Sequence, residues 1–351
     1  MRHDLAIVGG GIVGTSLAYL AAKTHPNWSV VLAEQGDIGC GASSASAGFD
    51  AVESAHNGLR ELSIRSRLLY REMTRDVPEA YVQPVRTLWV VNNRQAASFP
   101  RRFVGTLGDF SQLHRADDAA LPARWWRDKA TCVFEGEGDG HANVGQLCRG
   151  IVRYLVASTS YFSCHEAAGV TAIHYDVGGF SLQLCDGRVW NSHRVALAAG
   201  AWLADGSLAA FLPSPMRVKK IASLRIDLCP DASSPAVVYG DHGAFFLPRV
   251  EFGDWLFSFT LDSWDCQPAP LMQLSREELK QGLRKLETLA PALSARVCGQ
   301  EVSCDLYTPD QLPLQLPAGG HPNLRVLTGG SGAGYRTAPA LAQDVLAAWS
   351  Q

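Results

Sequence analysis

At 351 residues the chain is long enough for two domains, each with its own buried core. Apolar residues make up 47% and charged residues 19%, which excludes a disordered chain; a formal net charge of −3 leaves no basic footprint for nucleic acid. Nine cysteines without a C-x-x-C pair and ten histidines without ligand spacing predict reduced thiols and no metal site.

Only Leu5-Ala6-Ile7-Val8 separates the first polar residues from a glycine run, too short an apolar segment for a secretory signal. No apolar run reaches the length of a bilayer span, so a cytoplasmic protein without a membrane span is expected. Residues 4–36 then read as one βαβ unit: a buried strand to Val8, a helix over about 12–23 carrying Val13, Leu17 and Leu20, and a strand 30–33 ending at Glu34. A loop of small residues over 39–50 follows, then a helical pattern from Gly58 to Arg75. Residues 87–91 suggest a short strand, and Arg124-Trp125-Trp126-Arg127 a surface cluster. A helix is expected over 143–157 and strands over 170–173, 180–184 and 195–198. The stretch 216–261 is strand-rich, 276–289 a charged amphipathic helix, 324–327 a strand, and 339–349 a closing helix after a glycine-rich turn.

Gly9-Gly10-Gly11-Ile12-Val13-Gly14 is a G-x-G-x-x-G element lying between a strand and a helix. Gly9 permits the tight turn, Gly11 the approach of a pyrophosphate, and Gly14 close packing of helix on strand. Glu34, 20 residues beyond Gly14, is placed to accept the hydroxyls of an adenosine ribose. These features predict dinucleotide binding. The loop with Ser43, Ser44 and Ser46, then Ala47-Gly48, offers hydroxyls without bulk beside a flat ring, which points to FAD rather than NAD.

In these motifs the chain resembles the D-amino-acid oxidase superfamily of flavoproteins, which includes glycine and sarcosine oxidases. Besides the glycine turn with Glu34, the resemblance rests on Gly41-Ala42-Ser43-Ser44 through Ala47-Gly48, on Gly169-Val170, and on Val195 to Trp202 closing as A-G-x-W. It extends to Thr308-Pro309-Asp310 with Pro313 and to Gly329 through Pro339. It implies a Rossmann-type α/β (α+β) domain, residues 1–84, 140–215 and 300–351, interleaved with a mainly antiparallel-sheet substrate domain, 85–139 and 216–299. It implies non-covalent FAD held by Gly9, Gly11, Ile12, Val13, Gly14, Glu34, Gln35, Ala42, Ser43, Ser44, Ala47, Gly48, Val170, Ala199, Gly200, Trp202, Gly332, Gly334, Tyr335 and Arg336. Arg336, Tyr335, Phe49 and Phe246 are expected at the reacting end. Arg336 would meet a substrate carboxylate or the developing negative charge of the flavin.

The implied activity is oxidation of an amine or amino acid, primary or N-methyl, by hydride transfer to flavin N5. Hydrolysis of the imine would follow, with O2 reduced to H2O2 or an electron acceptor in its place. An FAD-dependent 2-hydroxy-acid dehydrogenase and a non-catalytic flavoprotein partner in a complex stay open as alternatives, as does the oligomeric state.

Two departures from the family pattern matter. Asp305 stands where glycine oxidases carry an arginine for the substrate carboxylate, and an acid there favours a cationic substrate. Gly332 replaces their second arginine-bearing turn, and Cys304 lies one position from the covalent-flavin cysteine of monomeric sarcosine oxidases. Lys219 and Lys220 occupy a position where the family often has glycine, read as exposed charge or an aid to oxygen chemistry.

Overall fold

The computed structural model describes residues 2–51, 56–102, 113–117, 121, 125, 130–136, 139–213 and 215–350. Of the Arg124–Arg127 cluster only Trp125 is among them; half-buried, it packs against the core, 4.3 Å from the Phe246 ring and 5.5 Å from that of Trp255.

The chain opens with β1 (Arg2–Val8), α1 (Ile12–Thr24) and β2 (Val30–Ala33). It continues through β3 (Phe49–Asp50), α2 (Asn57–Met73), β4 (Gln83–Pro84), β5 (Thr87–Asn92), β6 (Leu113–Arg115), β7 (Thr131–Gly136) and β8 (Gly140–His141). Next come α3 (Val144–Ser158), β9 (Phe162–His165), β10 (Val170–Asp176), β11 (Gly179–Leu184) and β12 (Val189–Leu197). Strands β13 (Arg217–Ile226), β14 (Ala236–Tyr239), β15 (Ala244–Arg249) and β16 (Asp254–Phe259) lead to α4 (Arg276–Leu289) and β17 (Val297–Tyr307). Last are β18 (Leu314–Ala318), β19 (His321–Thr328) and α5 (Gly334–Trp349).

One sheet runs β10-β11-β12-β1-β2-β9, with β19 joining β12 and β18 joining β19. Its centre is parallel: β1 lies between β12 and β2, with Leu5 opposite Val30 and Val8 opposite Leu197. Both faces of this centre are covered, which explains why Leu5, Ile7 and Leu32 are fully buried and why the strands read as unbroken apolar runs. Helices α1, α3 and α5 supply one cover, packing Leu17, Leu147, Ile151 and Val345 into a common core.

The second sheet runs β17-β13-β16-β15-β14-β5-β7-β6 and is antiparallel except where β14 meets β5. Its strands alternate. Val237, Phe246, Phe257, Leu224 and Ala222 face a core closed by Leu286 and Leu289 of α4, while their sequence neighbours face the other way. Strand β17 pairs with β13 from Arg217↔Tyr307 to Ile226↔Val297, so the domain boundary expected at residue 300 falls inside a strand of the second sheet.

Helix α5 corrects the expected start at Pro339: it begins five residues earlier, at Gly334, with Pro339 inside it. Proline withholds the N–H that would bond the Tyr335 carbonyl. The Tyr70 hydroxyl of α2 donates to that carbonyl instead, at 2.8 Å, and the next amide, Ala340, donates to Ser66 Oγ at 3.1 Å. The two helices are thereby tied at the point where the proline loosens one of them. No helix among the described residues is long and apolar enough to cross a membrane.

Candidate active site

A cavity of about 1130 Å³ lies between the carboxyl ends of the parallel strands and one face of the antiparallel sheet. Its floor at one end is the turn after β1. Gly9 has φ +110°, and a Cβ there would sit 2.5 Å from the Ala198 carbonyl oxygen. A Cβ on Gly14 would come within 2.0 Å of the Gly9 carbonyl oxygen, so Gly14 serves helix-on-strand packing and does not line the cavity. Glu34 lies beside this turn with Oε2 accepting the Gly10 N–H at 2.7 Å and Oε1 that of Gly36 at 2.9 Å. These two donors orient the carboxylate while each oxygen keeps a lone pair for a hydroxyl. Gly11, Ile12, Val13, Gln35 and Val170 complete this end.

The small-residue loop forms the next wall, with Ala42, Ser43, Ala47 and Gly48 at the cavity. Ser43 Oγ accepts the Ile12 N–H at 3.0 Å, satisfying a free amide at the start of α1. Gly48, at φ +61°, passes so close to the next segment that a Cβ would lie 1.8 Å from the Ala142 oxygen. Ser44 does not line the cavity: its hydroxyl donates back to the Cys40 and Gly41 carbonyls at 2.9 Å, capping its own turn. Opposite, Ala199, Gly200 and Trp202 follow β12, and Trp202 comes within 3.2 Å of where a Gly41 Cβ would be. Narrow walls without side-chain bulk, an oriented acid and a helix N-terminus suit an adenine dinucleotide, and FAD fits them.

The far end is roofed by the antiparallel sheet. Alternation presents Trp89, Val238, Phe245, Ser258, Ser223, Ile221, Lys219, Asp305 and Tyr307 to the cavity. Phe245 packs against Phe49 with ring centroids 5.4 Å apart. Phe246 is therefore corrected: it is fully buried on the other face, 4.6 Å from the Phe257 ring, and does not reach the cavity. Cys304 is likewise turned away, fully buried beside Val218 and Leu306, its thiol pushed up to about 12 by burial.

The turn after β19 and the first turn of α5 close this end, with Gly332, Gly334, Tyr335 and Arg336 at the cavity wall. Tyr335 contributes little polarity there. Its ring is stacked on Tyr70 at 5.0 Å, and its hydroxyl is buried without a hydrogen-bond partner among the described residues, so burial drives its ionisation far up. Arg336 donates from Nη1 to the Ala51 carbonyl at 2.9 Å, which holds the guanidinium beside the loop carrying Phe49. A cation in the first turn opposes the helix dipole and costs about 0.3–1 kcal/mol, while the two positive charges together attract an anion. Asp305 stands across this turn: Oδ1 accepts the Leu306 N–H at 2.8 Å and Oδ2 the Gly332 N–H at 2.7 Å. Burial raises its pKa against the pull of those two donors.

Sequence reasoning missed two features. Tyr307 reaches the cavity only because β17 continues two residues past Asp305, and no strand was expected there. Behind Phe49, Arg67 of α2 donates to Asp50 Oδ2 at 2.8 Å and to the Asp50 carbonyl at 2.6 Å, a buried pair that fixes the loop's end. The signal for it was an arginine inside the apolar face of a helix.

The glycine turn, the oriented acid and the parallel sheet define a dinucleotide-binding oxidoreductase architecture. The family model described as FAD dependent oxidoreductase (DAO) matches residues 4–349, and the chain belongs to this family. Among characterised relatives it is similar to the glycine oxidase of Geobacillus kaustophilus (strain HTA426), 26% identical over 216 residues, 58% of this chain and 56% of that one. It is also similar to the N-methyl-L-tryptophan oxidase of Salmonella arizonae, 25% identical over a 374-residue alignment covering 98% and 93% of the two chains. The glycine oxidase structure from G. kaustophilus superimposes with a TM-score of 0.78 at 21% identity over 99% and 94% of the chains. L-proline dehydrogenase from P. horikoshii gives 0.82 at 16% identity over 98% and 92%. Both share the fold.

Proposed function

We propose that this protein oxidises the C–N bond of an amine or amino acid, primary or N-methyl, with O2 as acceptor and H2O2 as product. The observation that carries the reading is Arg336 on the positive end of α5, facing a cavity walled by Phe49, Phe245 and Trp89. Bound FAD supplies the hydride acceptor. Arg336 receives the substrate carboxylate and orients the carbon that reacts. Phe49 and Phe245 exclude water from the same space and strengthen the charge interactions inside it. The relatives named as oxidases of glycine and of N-methyl-L-tryptophan support an amino-acid substrate. The outward turn of Cys304 supports a non-covalent flavin. In this reading the parallel-sheet unit holds the cofactor and the antiparallel sheet faces the substrate.

The test is anaerobic bleaching of the purified yellow protein by a panel of amines, amino acids, N-methyl amino acids and 2-hydroxy acids. Bleaching by an amine or amino acid is expected, and Arg336→Met should raise KM for carboxylate-bearing substrates about 10- to 100-fold. Reduction by 2-hydroxy acids alone, or by none of the panel, would remove the proposal.

A further inference from the structure

Asp305 is an anion held in an unusual setting. It lies on the cavity face of β17, where register places it across from Lys219 of β13. Two backbone N–H groups fix both its oxygens, and among the described residues no lysine, arginine or histidine nitrogen is paired with it. Lys219 points instead over the rings of Trp264, at 4.7 Å, and Tyr307, at 5.4 Å. Lys220 faces the other side of the sheet and pairs with Glu278 at 2.9 Å. Arg336 reaches Ala51, Cys304 is on the opposite face, and the Tyr307 phenol is held protonated by burial. A carboxylate walled in by protein and opening only onto a cavity is costly without a counter-ion.

We infer that Asp305 receives the cationic nitrogen of the substrate and takes its proton, so that the substrate enters as an ammonium ion and reacts as the neutral amine. This rests on the amine-oxidising reading above. The step moves one proton and no electrons: an ammonium N–H bond breaks, an O–H bond forms on Asp305, and the lone pair left on nitrogen is what hydride loss from the adjacent carbon requires. Burial raises the proton affinity of Asp305 against the pull of the Gly332 and Leu306 N–H groups, which favours transfer of the proton from the bound ammonium to the carboxylate.

The probe pair is 2-aminoisobutyrate and 2,2-dimethylpropanoate, which differ by ammonium against methyl and neither of which has a hydrogen on the reacting carbon. Calorimetry on the FAD-loaded protein should show the first binding about tenfold or more tightly, and Asp305→Asn should abolish that preference while leaving the flavin spectrum intact. Asp305→Ser is the second variant should the amide disturb the Gly332 turn. With a substrate found in the panel above, Asp305→Asn should lower the rate of flavin reduction about 100-fold near pH 7. The deficit should shrink towards about pH 10, where solution delivers the neutral amine. Equal affinity for the two probes, weak binding of both, a preference surviving both variants, or a deficit independent of pH would overturn the inference. Wild-type protein that binds the probes as expected but is bleached by no amine would instead overturn the proposed function alone.

Discussion

Gly48 shows how much one missing methyl group decides. At φ +61° with the Ala142 oxygen 1.8 Å from any Cβ, it permits the small-residue loop to lie against β8. Gly48→Ala is expected to cost about 2–4 kcal/mol of stability and to leave the protein without its yellow colour, measurable by urea unfolding and by FAD absorbance. A carbonyl with no helical donor is a second residue-level case. Tyr70→Phe removes the hydroxyl that serves Tyr335, and a loss of about 1–2 kcal/mol is expected with FAD affinity unchanged. A fall in FAD affinity equal to the fall in stability would show that the stacked tyrosines hold the cofactor after all.

Among the elements, α4 has a pH signature. Its capping box joins Ser275 and Glu278, and Glu278 also accepts from Lys220 and Ser263. Burial pushes the Glu278 carboxyl up, but the donors together outweigh it and draw its pKa from 4.5 down to about 2. A depressed pKa contributes stability that is fully present above the unfolded value and disappears as pH falls through the folded one. Wild-type stability should therefore decline between about pH 4.5 and 2 through this group, and Glu278→Gln should flatten that part of the profile in acid-unfolding experiments. Elements were also what the sequence displayed best. The first βαβ unit, α3 and α4 were legible because apolar spacing and turn residues agree there. The start of α5 was hidden because Pro339 reads as a helix boundary, and only two tertiary partners, Tyr70 as a donor and Ser66 as an acceptor, let the helix pass through it. Strand β17 was hidden because Glu301, Ser303 and Asp305 break the apolar run, Glu301 being paired with Arg249 and Asp305 with the Gly332 N–H. Which of Phe245 and Phe246 faces the cavity was equally out of reach: adjacent aromatics look alike until register with β14 and β16 is known.

At the scale of the whole molecule, the cavity lies between two cores that are otherwise separate, one behind the parallel sheet and one beneath α4. FAD bound there should stabilise both. At about 1,000 times Kd the gain is about 4 kcal/mol, which for a chain of 351 residues should raise Tm by about 5 °C in a thermal scan. A cofactor-independent Tm would mean that the cavity does not hold it.

Strands β13 and β17 are two-sided, with the cavity on one side and packed core on the other. Lys219, Asp305 and Tyr307 face the cavity and stand outside the core clusters, whereas their immediate neighbours Cys304 and Leu306 belong to one and Lys220 pairs with Glu278 on the other side. Substitutions on one side of this ribbon would therefore reshape the cavity wall while the packing on its other side stays in place.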